Sequence, residues 1–160
     1  MSQSTILGDS RNNHREHETL RLEVESLRAA LDSLAAYSEA IANLRSLRDV
    51  AEHLRSLLSD IPAHFVHEER TILATMESLG PEEARFAELM RQQHDMLSAG
   101  LAKFRQMLSE IHDSNDLRAG LREVQDCGAN ISKLLLDHME TEDRRIQALA
   151  NVNEASVANL

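Results

Sequence analysis

HETLRLEVESLRAALDSL, residues 17–34, decides the fold. Its apolar residues Leu20, Val24, Leu27, Leu31 and Leu34 recur at alternating steps of four and three, which winds them onto one face of an α-helix. The stripe continues to Ile41, so a first helix is expected over about 12–42. A helix with a single apolar face must bury it against others of its kind, and the rest of the chain carries three more such stripes.

The second segment, about 46–79, holds Leu47, Val50, Leu54, Leu57, Ile61, Ile72 and Leu79, with Ser46 and Asp49 suited to its cap and first turn. Pro62 lies inside it and predicts either a kink or a restart capped by Ser59 or Asp60. Gly80-Pro81 punctuates the chain, and Pro81 at a first helical position opens a third segment with Phe86, Met90, Leu97, Leu101, Phe104, Leu108 and Ile111. Asp113-Ser114-Asn115-Asp116 closes it. The fourth segment, to about Ala150, carries Leu117, Leu121, Val124, Ile131, Leu135, Ile146 and Leu149. Helices of this length with short connections imply an all-α fold, an antiparallel up-down-up-down four-helix bundle over residues 12–150, with flexible ends at 1–11 and 151–160.

Composition agrees. The 160 residues suit one domain, five glycines and two prolines leave helices uninterrupted, and 2% aromatics make the core aliphatic. A formal charge of −10 repels nucleic-acid phosphates and anionic headgroups, and no apolar run reaches the roughly 18 residues of a membrane span. Neither a nucleic acid nor a membrane is an expected partner, and a soluble, cytoplasmic protein, monomer or homodimer, is the expectation. The one cysteine, Cys127, excludes an internal disulfide and a thiolate zinc cage.

Each stripe is broken by a histidine: His17, His64, His94 and His138. Seam positions make up about two in seven of a helix, so about two of the eight histidines would fall there by chance. Four do, one per helix. Glu68 and Glu142 follow His64 and His138 at i+4, which puts an imidazole and a carboxylate on the same face one turn apart. Measured from Gly80, His64 lies 16 residues before and His94 14 after, a height difference of about 3 Å. Across Ser114, His94 and His138 differ by about one turn. Across a first connection near Asn43, His17 and His64 differ by about 7 Å. Burying four imidazoles and two carboxylates together is costly unless something satisfies them, and a metal does. Without thiolates the donor set suits iron, manganese or zinc. Two carboxylates placed to bridge helices favour two ions, with an oxide or hydroxide bridge balancing the remaining charge.

These residues resemble those of hemerythrin-like domains, the His-His-Glu cation-binding bundles that hold non-haem di-iron. The likeness spans about 12–150 and rests on Glu16-His17, on His64-Phe65-Val66-His67-Glu68-Glu69, on His94-Asp95, and on His138-Met139-Glu140-Thr141-Glu142. It implies that His17 and His64 ligate one iron, His94 and His138 the other, and that Glu68 and Glu142 bridge them. Oxygen carriers of this family have a fifth histidine one turn after the third-helix ligand, where this chain has Ser98. The remaining set looks more like bacterial relatives associated with nitric oxide stress and iron-centre repair. The resemblance therefore implies a small ligand (nitric oxide, peroxide or dioxygen) at an open iron position, with redox chemistry fed by an electron donor that the sequence does not identify. The alternatives are a non-enzymatic dioxygen or iron sensor, carrier or store, and a metal-free interaction bundle. A ferritin-like site fits less well, because no histidine here has a glutamate three residues before it.

Other candidates are assigned lesser roles. His14, which pairs with Glu18 at i+4, is the rival to His17. His67 is expected behind the site or exposed, and Glu69, Asp95, Glu140 and Asp143 are candidates to hold ligand imidazoles from behind. His53 and His112 are expected at the surface, Tyr37 about 30 Å along the helix from His17, and Cys127 at the core boundary. Phe65 and Leu97 are expected to line the pocket.

Overall fold

The leucine-rich stripes do form helices, and the computed structural model describes residues 3–36, 40–111 and 117–158. Tyr37, His112 and the Asp113–Asp116 connection lie outside the described residues, as do the side chains of Ile41 and Leu117. Helix α1 spans Gln3–Ala36 and α2 spans Ala40–Glu68. A π turn, Glu69–Leu73, then leads into one last α turn, α3 (Ala74–Glu77). Pro81–Glu110 forms α4 and Leu117–Ala158 forms α5. α1 packs on α2, α2 on α4, α4 on α5, and α5 closes back on α1, which makes the antiparallel four-helix bundle. No helix among the described residues is long and apolar enough to cross a membrane.

Three local expectations change. Pro62 does not restart the helix at Ser59 or Asp60, because α2 runs through it unbroken. Pro62 is exposed, so the carbonyl that its missing N–H leaves free is on the wet side of the helix. Ser46 is not a cap: α2 starts six residues earlier, at Ala40, and Ser46 is buried inside it. Leu79 is 48% exposed rather than part of the stripe, while Leu73 and Met76 are buried. The π turn adds a residue to one turn and brings Ile72 and Leu73 inward together, while Leu79 lies in the turn after α3 has ended. At Gly80 the backbone φ is +150°, which a side chain would strain, and Pro81 starts α4 directly after it.

The core is split. The larger part, with Val24, Leu27, Leu54, Leu57, Leu101, Phe104 and Val124, is continuous through Ile61, Leu97 and Leu135 up to the histidines. Each such side chain contributes about 1.5–3 kcal/mol on burial. Gly128 of α5 permits the tight fit here, since a Cβ would meet Leu31 Cδ1 at 2.5 Å and Phe104 Cζ at 2.8 Å. Beyond the histidines is a smaller cluster of Ile72, Leu73, Met76, Ala87, Met90 and Ile146. Arg145 ties α5 to the start of α4 there, bonding Glu82 and Glu83 and lying 5.7 Å from the Phe86 ring centroid.

Candidate metal centre

Between the two clusters, α1 contributes His17, α2 His64 and Glu68, α4 His94, and α5 His138 and Glu142, each no more than 5% exposed. These are the six residues that the seam pattern singled out. The imidazoles stand as two edge-to-face pairs, His17 with His64 at 4.8 Å and His94 with His138 at 4.9 Å between centroids.

The carboxylates span the pairs. Glu68 Oε1 lies 3.0 Å from His17 Nε2 and 2.9 Å from His64 Nε2, while its Oε2 lies 3.3 Å from His94 Nε2. Glu142 Oε2 is 3.7 Å from His17 Nε2 and 3.8 Å from His138 Nε2. Two clusters with metal-holding geometry result: His17, His64 and Glu68, and Glu68, His94, His138 and Glu142. They share Glu68.

All four rings are oriented from behind. His17 Nδ1 donates to Asp143 Oδ1 at 2.8 Å, and Arg21 also donates to Asp143. His64 Nδ1 donates to Glu16 at 2.8 Å, His94 Nδ1 to Glu69 at 2.8 Å, and His138 Nδ1 to Gln93 at 2.9 Å. A hydrogen on each Nδ1 leaves Nε2 as the inward nitrogen, the arrangement a metal-binding histidine needs. Of the backing candidates named from sequence, Glu69 and Asp143 serve. Asp95 is exposed, and Glu140 faces solvent with Arg144. Glu16 and Gln93 were missed in this role. Each directly precedes a site histidine, so it sits on the neighbouring helix face, and only the packing of α1 on α2 and of α5 on α4 aims it at another helix's ring.

His14 is 59% exposed, 3.6 Å from Glu18 and 3.5 Å from Asp143 Oδ2, so it stands outside the buried layer. Ser98 is exposed, and buried Leu97 takes the inward position on that turn. His67 is half-buried beside the layer, and His53 lies 3.5 Å from Glu23 at the α1–α2 rim. Phe65 stacks on His94 at 3.9 Å with an 8° interplanar angle and meets His138 edge-on, walling the site with an apolar face. Burial raises the pKa of half-buried Cys127, keeping it a neutral thiol.

Electrostatically, the layer is unbalanced on its own. Burial opposes charge on Glu68, but the imidazoles of His17, His64 and His94 around it hold its carboxyl well below the usual range. Burial and the charge of Glu68 push Glu142 well above it. Burial also opposes charge on His17, yet Asp143 and Glu68 raise its pKa, whereas burial and the neighbouring imidazoles push His138 down to about 4. Nε2 of His64, His94 and His138, Oε2 of Glu68 and both carboxylate oxygens of Glu142 are buried without a hydrogen-bond partner. Orphaned donors and acceptors of this kind are rare in folded proteins, and here they converge on common centres. The cluster is therefore suited to a di-iron site: nitrogen and carboxylate donors, a carboxylate shared between two groups, and inward atoms that the protein leaves largely unsatisfied. The hemerythrin HHE cation binding domain family model matches residues 10–150. No curated protein matches the chain significantly.

Proposed function

The chain belongs to the hemerythrin HHE cation-binding family, and from that premise we propose that it is a non-haem di-iron protein that binds nitric oxide, peroxide or dioxygen and carries out redox chemistry on it. The observation that carries the reading is the set of convergent, partnerless ligand atoms in one buried layer. His17 and His64 hold one ion, His94 and His138 the other, and Glu68 and Glu142 bridge them. Support comes from the two imidazole pairs and from the division of Glu68's oxygens between them.

A bound iron pair supplies one-electron redox steps and a coordination position for a small molecule. The chain does the rest. Asp143, Glu16, Glu69 and Gln93 fix each ring's tautomer and direction, and the three carboxylates among them strengthen their imidazoles as donors. Phe65 and Leu97 exclude water. Metal uptake is expected to release protons, since the metal-free layer favours the protonated forms of Glu142 and His17. Four imidazoles without a fifth beside His94 leave fewer protein ligands than the carrier pattern has, which favours chemistry on the ligand over simple carriage.

Elemental analysis with an ultraviolet-visible spectrum, on protein purified without added metal, tests the proposal. About two irons per chain with ligand-to-metal charge-transfer bands are expected, and the bands should respond to nitric oxide or peroxide. A single tightly held zinc, or no metal, would sink it.

A further inference from the structure

Asn13 is fully buried, and neither its Oδ1 nor its Nδ2 has a hydrogen-bond partner. An amide closed off in this way opposes folding unless something else uses it. It lies on the inward face of α1, one turn before His17, about 6 Å along the axis. On the other helices the corresponding steps from the site are Glu68 to Ile72 and Glu142 to Ile146, so its layer is otherwise apolar. One turn further out is a small cleft at the end of the bundle, lined by Asp9, Ser10, Ile72, Met76, Ile146 and Leu149 among others. Ile72 and Ile146 thus face the cleft one turn beyond the two carboxylates. The Cα–Cβ bonds of α1 tilt toward its N-terminus, the end of the helix at which the cleft lies.

We infer that Asn13 is a ligand-binding residue standing between the cleft and the histidine–carboxylate layer, where its amide holds a small molecule that enters from the bundle end. The inference rests on the reading of the layer as a metal pair with an open position. An amide both donates and accepts, so the small molecule it suits has at least one hydrogen-bonding oxygen or nitrogen. In apolar surroundings such a bond is strengthened.

The test uses full-length protein loaded with iron and titrated with azide, followed by absorbance, for wild type, Asn13→Leu and Asn13→Ala, with iron per chain measured on each sample. Asn13→Leu should weaken azide binding about tenfold at unchanged iron content, as loss of one buried hydrogen bond does. Asn13→Ala should weaken it in the same direction, and decides the matter alone should the leucine not fit. A merely structural asparagine would lower the melting temperature or the iron content and leave the azide affinity of the loaded protein unchanged in both variants, which would overturn the inference. A wild type that takes up no iron would overturn the metal reading itself, and that outcome is distinguishable from an iron-loaded wild type whose azide affinity ignores residue 13.

Discussion

The large aliphatic cluster and the histidine layer lie on the same four helices, with the same periodicity, and are built on opposite principles. The cluster around Leu27, Leu54 and Phe104 is made of packed apolar side chains, which need no partner from outside the protein. In the layer, six side-chain atoms of His64, Glu68, His94, His138 and Glu142 are left incomplete. Stability is therefore concentrated in one region and binding capacity in the other. The layer is tolerable because the cluster beside it is closed.

The most direct way to break the contrast is at Glu68, the one residue common to both metal-holding clusters. Glu68→Ala should abolish uptake of both ions while the metal-free chain keeps its helical circular dichroism; full iron content in the variant would remove Glu68 from its bridging role. In the aliphatic region, Leu54→Ala should cost about 2–5 kcal/mol in denaturant melts and leave iron per chain unchanged in the folded protein. Loss of iron there would mean the two regions are not separable.

Acid should sharpen the contrast next. Because burial and its neighbouring imidazoles disfavour a charged His138, the folded chain binds fewer protons at that ring than the unfolded chain does. That contribution to stability is present above the ordinary histidine pKa of about 6.5 and is lost as pH falls toward about 4, up to about 3 kcal/mol. Glu142, with its raised carboxyl, acts in the opposite sense, so the His138 ring proton resonance in metal-free protein is the measurement that isolates the effect. It should titrate near pH 4, and a midpoint near 6.5 would show a hydrated ring. The smallest effect is expected behind the rings. Glu16→Gln should weaken iron retention against a chelator by about 10–100-fold without altering the melt of the metal-free chain.

The sequence by itself determined the helices, because a helix writes its inward face as a period of three and four residues. It also determined one histidine per seam and the His64–Glu68 and His138–Glu142 pairs, since both members of each pair belong to one helix and local geometry fixes their direction. Pro62 and the turn after Glu68 were not legible, because whether a helix absorbs a proline or widens into a π turn depends on what its faces meet. Neither were the roles of Glu16 and Gln93, or the burial of Asn13. Those depend on the relative height and rotation of separate helices, which tertiary packing alone decides. The same packing left His14 outside and His17 within: both lie on α1, but only His17 is on the face that α2 and α5 cover.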